Sequence, residues 1–337
     1  RQFTGFDAFQ KVIGTDCDVV ILATPPGFRP QHFAAAVEGG KHVFMEKPVA
    51  VDASGIRMVM EAAAAANDRK LSVVAGTQRR HEQCYLEAME RLHRGDLGRL
   101  LAARCYWNMG SLWNVAAQPD RSEVENQIRN WLYYTWLSGD HIVEQHVHNL
   151  DAINWAFQSP PTEVFGVGGR QSRTTDEYGH IFDHFGLEYR YPEDRFAMSM
   201  CRQQAGTAGR VEEVITGADG TATLTSGRAV LTGPKAWRFK GPQRSPYVQE
   251  HMDLQASIRG TGEYLNEGQR IAESTLTAIM GREAAYTGKV ITFEDALNSD
   301  QDLMPDLMDF TDMPTPPVPV PGRTRMDRSD DVRPTDA

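Results

Sequence analysis

Residues 18–76 carry the pattern that most restricts this chain. After Asp18, Val19-Val20-Ile21-Leu22-Ala23 is a continuous apolar run, stopped by Thr24-Pro25-Pro26-Gly27. Such a run reads as a strand buried on both faces, as in a parallel sheet. A helical stretch follows at 30–39, with Pro30 suited to its first turn and Gly39-Gly40 to its end. Lys41-His42-Val43-Phe44-Met45 is a second short strand, which stops at Glu46-Lys47-Pro48. Residues 52–67 form an alanine-rich helix capped by Asp52 or Ser54. Lys70-Leu71-Ser72-Val73-Val74-Ala75-Gly76 is a third strand. Strand–helix–strand–helix–strand with short connections is a right-handed parallel α/β unit. Ligands of such sheets lie beyond the carboxyl ends of the strands. Those ends are Thr24-Pro25-Pro26, Glu46-Lys47-Pro48 and Thr77-Gln78-Arg79-Arg80. Topology therefore puts Lys47 at the binding crevice; the alternative is a surface lysine at a strand end.

The rest of the chain has a different grammar. Residues 82–95 read as an amphipathic helix ended by Gly95, bridging to a second domain that opens with a strand from Leu97 to Tyr106. Residues 108–135 and their flanks are rich in aromatics without clear periodicity (Trp107, Trp113, Trp131, Tyr133, Tyr134, Trp136). They fit a binding loop or subunit contact, or a hydrophobic plug over the core. Short alternating segments recur at 162–170, 184–191, 195–203, 210–217 and 221–225, with Pro192-Glu193-Asp194 as a hairpin turn. They predict a mostly antiparallel sheet with one open face. Helices are expected over 247–260 and 264–286, the second ending near Gly288. Residues 312–337, rich in proline and charge, read as a flexible tail.

The densest titratable stretch is Gly139–Asp151, with three histidines and three carboxylates. As a helix over 139–157, at about 100° per residue, it places His141, Glu144, His148 and Asp151 on one face. That face suits proton transfer, a metal held by His141, Glu144 and His148, or plain solvation.

Ala23-Thr24-Pro25-Pro26, followed by Gly40-Lys41-His42-Val43-Phe44-Met45-Glu46-Lys47-Pro48, resembles the Gfo/Idh/MocA oxidoreductases. The resemblance extends over roughly residues 1–305. It implies that residues 1–81 are the second half of a NAD(P)-binding Rossmann domain and 82–95 a connecting helix. Residues 96–305 then form an α+β substrate and oligomerisation domain, an open, mostly antiparallel sheet with helices. Arg1, in place of Met, and the lack of a G-x-G-x-x-G in residues 1–80 lead us to expect a longer protein whose upstream part holds the pyrophosphate turn.

By the same resemblance the enzyme oxidises a CH–OH group of a sugar, polyol or sugar derivative, passing hydride to NAD or NADP. The family's E-K-P lysine and D-x-x-x-H pair carry over to Lys47, Glu144 and His148, with glutamate where aspartate is usual. These three are the expected catalytic residues, and they contact substrate together with Asp151. Asp151 also suits structural hydrogen bonding, and His141 and His146 a supporting place. Ala23, Thr24, Pro25, Pro26, Arg29, Glu46, Lys47 and Gln78 are the expected cofactor contacts. For Arg29, Arg79 and Arg80 a solvated surface charge is an equal alternative. His148, with an ordinary pKa of about 6.5, suits general-base work near neutrality, and Lys47 beside a positive nicotinamide suits a depressed pKa.

Composition closes off other classes. A formal charge of −10 argues against nucleic acid or anionic membrane as partner. No run of about 18 apolar residues exists in the chain. Cys17, Cys84, Cys105 and Cys201 form no CxxC pair. A homo-oligomer, dimer or tetramer, is expected, in the cytoplasm or exported folded to the periplasm. Two further readings use the same residues: redox-neutral, NAD-dependent glycoside hydrolysis, and non-catalytic sugar binding.

Overall fold

The computed structural model describes residues 1–305 and 313–326. Helix α1 (Ala8–Ile13) leads into a parallel three-stranded sheet, β1 (Val19–Leu22), β2 (His42–Met45) and β3 (Val73–Ala75), in that spatial order. Helices α2 (Arg29–Glu38) and α3 (Ala53–Asp68) make the crossovers. Of the two candidate caps for α3, Asp52 is the one used: its carboxylate accepts the Gly55 N–H at 2.8 Å. The run at 19–23 differs from expectation. β2 and β3 are covered on both faces, but Val19 and Ile21 of β1 are 38% and 64% exposed. β1 is the outer strand, and α2 covers only one of its faces.

A 3₁₀ turn at Gln78–His81 and α4 (Gln83–His93) lead into the second domain. Its elements are β4 (Leu100–Met109), α5 (Glu123–Arg129), α6 (Thr135–Ser138), a π-helical turn (Ile142–His146) and α7 (Val147–Phe157). Then come β5 (Glu163–Gly169), β6 (His184–Tyr191), β7 (Arg195–Gln203), β8 (Arg210–Gly217), β9 (Thr221–Thr225), β10 (Arg228–Leu231) and β11 (Trp237–Arg238). α8 (Pro246–Arg259), α9 (Gly268–Thr287), β12 (Ile291–Thr292) and α10 (Phe293–Asn298) complete the order. One sheet, β11-β10-β9-β8-β4-β7-β6-β5-β12, runs through the domain and is antiparallel except where β4 pairs with β7. The β6–β7 hairpin turns at Glu193 and Asp194, both with positive φ (64° and 56°). α7 and α9 pack on the sheet's inner face; Phe165, Val167, Phe196 and Met200 are exposed.

The expected continuous helix over 139–157 is not one helix. Gly139 and Asp140 take left-handed φ (77° and 76°), and the wider π turn precedes the α geometry that starts at Val147. The inserted residue rotates the side chains before His146 relative to those after it. The four titratable groups therefore do not share one face.

Two other segments also settle. Aromatics of the 108–135 stretch and its flank build a small separate core of Phe28, Leu132, Tyr133, Tyr134, Trp136, Leu137 and Ile181, closer to a plug than to a free loop. Of the proline-rich end, residues 313–326 run along the molecule rather than hanging free: the Met313 and Met326 carbonyls accept the Gln127 and Gln301 side-chain amides. Residue 312 and residues 327–337 lie outside the described residues. Finally, α8 reaches back to the first sheet, where Leu254 packs with Phe44 and Val74 and the His251 ring lies 4.2 Å from that of Phe44.

Candidate functional site

Lys47 lies two residues beyond the end of β2 at Met45, after Glu46 and before Pro48. Its ammonium crosses to the π turn, donating to a Glu144 carboxylate oxygen at 2.7 Å and to the Glu144 carbonyl. Both side chains keep a little exposure, 13% and 14%. One turn further on, His148 is buried (7% exposed), with its ring 5.7 Å from that of Trp107 and only 22° from parallel. Burial, with the cations Lys47 and Arg79 nearby, holds its pKa well below the usual histidine value. His148 is thus a neutral imidazole throughout the physiological range, which corrects the reading of a group titrating near 6.5.

The other residues of the stretch go elsewhere. Asp151, 2% exposed, accepts from Arg80 (2.8 and 3.0 Å), Arg270 (3.0 Å) and the Ser274 hydroxyl (2.8 Å). Burial opposes its ionisation, but the two guanidinium groups outweigh it and hold the carboxyl well below the usual range. Three of these bonds fall on Oδ1 and one on Oδ2, so the carboxylate ties Arg80, Arg270 and Ser274 together. His141 pairs with Asp140 at 2.9 Å and packs on Phe185. His146 points into the large sheet, 2.7 Å from the Ser199 hydroxyl, and burial pushes its pKa down to about 3. His141, Glu144 and His148 therefore do not converge, and among the described residues no three His, Cys, Asp or Glu side chains are placed to hold a metal ion.

At the first strand end, Ala23, Thr24, Pro25 and Pro26 lead into α2, with the Thr24 hydroxyl 3.2 Å from His32 Nδ1. Gly27 is required: a Cβ there would lie 2.0 Å from the Trp136 carbonyl oxygen, so the aromatic plug seats against this turn. Arg29 is not a solvated charge. It is 1% exposed, donates to the Leu22 carbonyl, and its Nε is buried without a partner. Burial lowers its pKa to about 10, against the pull of Glu46 and Glu144. Arg79 and Arg80 are likewise not surface charges, being paired with Glu213 and Asp151. Glu46 lies over Gly76, where a Cβ would be 2.3 Å from its Oε2, and Gln78 Nε2 is 3.4 Å from the Tyr247 hydroxyl. Glu46, Lys47, Arg29 and Glu144 form an alternating charge cluster at the carboxyl ends of β1 and β2.

Sequence reasoning missed three neighbours of this crevice. Trp107 was grouped with the aromatic loop, yet it belongs to β4 and reaches His148. Tyr247 and Glu250 come from α8, whose return to the first sheet has no local signal. Glu250 is 3% exposed with an unpartnered Oε2, and burial first, then Glu46, pushes its pKa up to about 8.

Comparison with known proteins bears on the family and the fold. Residues 2–75 match the family profile described as "Oxidoreductase family, NAD-binding Rossmann fold", and residues 85–223 match "GFO/IDH/MocA C-terminal domain". An inositol 2-dehydrogenase of Acidothermus cellulolyticus is 27% identical over 235 residues, 69% of this chain and 60% of that protein. Inositol 2-dehydrogenase 4 of Saccharopolyspora erythraea is 30% identical over 169 residues, 50% of this chain and 43% of its own. The chain thus spans at most about three-fifths of these curated relatives. A levoglucosan dehydrogenase solved with NADH and levoglucosan shares the fold, with a TM-score of 0.69, 16% identity, and coverage of 84% of this chain and 82% of that one. So does an aldose–aldose oxidoreductase from Caulobacter crescentus complexed with glycerol, with a TM-score of 0.66, 18% identity, and coverage of 85% and 83%.

Proposed function

Because the chain belongs to the Gfo/Idh/MocA oxidoreductase family, we propose that it carries the substrate-side machinery of an NAD(P)-dependent dehydrogenase acting on a CH–OH group of a sugar or polyol. The observation that carries this reading is the meeting of Lys47, Glu144 and the neutral His148 at the carboxyl end of a parallel sheet. The crevice suits a dinucleotide: Arg29 offers a buried, unpartnered Nε beside the Glu46 and Glu144 carboxylates at the strand ends. Thr24, Pro26, Arg29, Glu46 and Gln78 are the residues to hold its nicotinamide side, and when bound it accepts the carbinol hydrogen as hydride.

The chain's own residues do the rest. Lys47 spends two donors on Glu144 and keeps a third to hydrogen-bond the substrate oxygen. Glu144 fixes the direction of that ammonium, a longer reach than aspartate would give. His148 accepts the hydroxyl proton. Burial first, and then the cations Lys47 and Arg79, disfavour the imidazolium, so the proton leaves again and the ring resets between turnovers.

The full-length gene product, assayed with NAD or NADP and a panel of inositols and aldoses, should form reduced cofactor stoichiometrically with oxidised sugar. Release of aglycone without net reduced cofactor would reassign the site to redox-neutral hydrolysis. Absence of dinucleotide binding would reassign it to a sugar-binding homologue. We further propose a homo-oligomer assembled through the open sheet face, where Val167 is 73% and Phe165 41% exposed. Val167→Glu should reduce the mass seen by light scattering.

A further inference from the structure

An imidazole that moves protons is ordinarily held by a hydrogen bond to its second nitrogen. His148 lacks one: its Nδ1 is buried with no partner among the described residues. Its orientation has to come from packing. Trp107 on β4 lies nearly parallel to it at 5.7 Å. Trp107 is itself fixed, since its Nε1 donates to Met109 Sδ at 3.1 Å and the Arg79 guanidinium sits 5.6 Å from its ring centre. Arg79 is anchored on Glu213, a wholly buried carboxylate that also accepts from the Tyr85 hydroxyl (2.7 Å) and from Asn149 Nδ2 (2.6 Å). Asn149 directly follows His148, and its amide also reaches the carbonyl of Tyr106, the residue before Trp107, at 3.1 Å. Two consecutive residues of α7 are thus clamped to two consecutive residues of β4, one pair by hydrogen bonding and the other by ring stacking.

We propose that Trp107, backed by Arg79 and Glu213, is the positioning residue of His148, setting the plane in which the imidazole meets the substrate hydroxyl. The proposal rests on the reading of His148 as proton acceptor. The titratable groups facing His148 are Lys47 from beyond the end of β2, Arg79 from the 3₁₀ turn, and Asp151 and the neutral His146 from its own segment. Arg79 therefore acts twice, steadying the stacked indole and disfavouring an imidazolium beside it. Trp107 works through His148 and does not itself serve as a platform for sugar.

The test is a ¹³Cε1-histidine NMR titration of the full-length protein, with the His148 signal assigned by its loss in His148→Asn, alongside steady-state kinetics. In the wild type and in Trp107→Phe, which keeps a stacking ring, the signal should stay that of neutral imidazole through the ordinary histidine range. In Trp107→Leu the midpoint should move upward from the wild type, as water and a mobile ring replace the stacked one. There kcat should fall about tenfold or more, with the KM for sugar changing less than about threefold. A His148 titration and kcat unchanged in Trp107→Leu overturn the proposal, as does a change confined to KM, which would make the indole a substrate platform. Should Trp107→Leu not fold, Arg79→Lys, which keeps the charge for Glu213 but withdraws the planar group, is read the same way. If His148→Asn retains turnover, the proton-acceptor reading fails, while the NMR arm still decides whether Trp107 holds the ring.

Discussion

His148 and Asp151 stand three residues apart on the same helix, and their surroundings are opposites. Asp151 has two arginines and a serine hydroxyl, drawn from the 3₁₀ turn and from α9. The ring of His148 has no hydrogen bond among the described residues and is steadied by an indole. Both are buried polar groups, and burial without a partner costs free energy. A chain that leaves one such group unpaired beside a fully paired one has spent its satisfied polarity on structure. The same contrast separates Arg80, saturated by Asp151, from Arg29, whose Nε lacks a partner.

Mutating each side breaks the comparison or sharpens it. The largest effect is expected at the open side: His148→Ala and Lys47→Ala should each lower kcat by about 10²–10⁴-fold. For His148→Ala the urea midpoint should fall moderately, since the packing of a buried ring on Trp107 is lost although no hydrogen bond is. If kcat is unchanged in both, the site assignment falls. Next comes the closed side. Asp151→Asn leaves Arg80 and Arg270 facing each other in the seam and should cost about 3 kcal/mol or more in equilibrium denaturation. Turnover in the surviving folded fraction should change much less.

A third test uses acid. His32 and His146 have pKa values pushed down to about 4 and about 3, and that of His148 lies well below the ordinary value. The sign is fixed by which state takes up protons. Below about pH 6.5 the unfolded chain protonates these histidines and the folded one does not, so stability falls as pH drops from about 6.5 toward about 4. Each contributes up to about 1.4 kcal/mol per pH unit. Thermal melts of His32→Asn/His146→Asn should show a shallower slope over that window than the wild type; an unchanged slope refutes the assignment. The smallest effect is expected for Glu144→Asp, which withdraws the carboxylate from Lys47. It should cost less than about 1 kcal/mol of stability and a few-fold in kcat.

Much of the architecture was legible because its signals are local. The apolar run before Thr24, the Gly39-Gly40 stop and the alternation at 184–203 each depend on a handful of neighbouring residues, and the strands and helices lie where these put them. The strand-end position of Lys47 was legible for the same reason. The fates of Asp151 and Arg29 were not, because burial is decided by partners distant in sequence: Arg270 lies 119 residues from Asp151. The π turn was also hidden. Ile142–His146 has ordinary helix-compatible residues, and the contacts just before it, Asp140 with the Phe182 N–H and His141 with the Phe185 ring, come from far along the chain. With it went the shared face of four titratable groups, leaving His148 and Glu144 on the crevice and turning His141 and His146 inward.

The return of α8 to the first sheet has a consequence for how the molecule comes apart. Phe44 and Val74 belong to the opening parallel unit, yet Leu254 and the ring of His251 lie over them, and Val73 pairs with Asn266. The boundary drawn at the connecting helix is therefore one of topology and not of folding autonomy. A fragment ending at residue 95 would bare one face of β2 and β3 and forgo roughly 1.5–3 kcal/mol for each large apolar side chain left uncovered. Synthesis must pass residue 266 before the first sheet has its full cover.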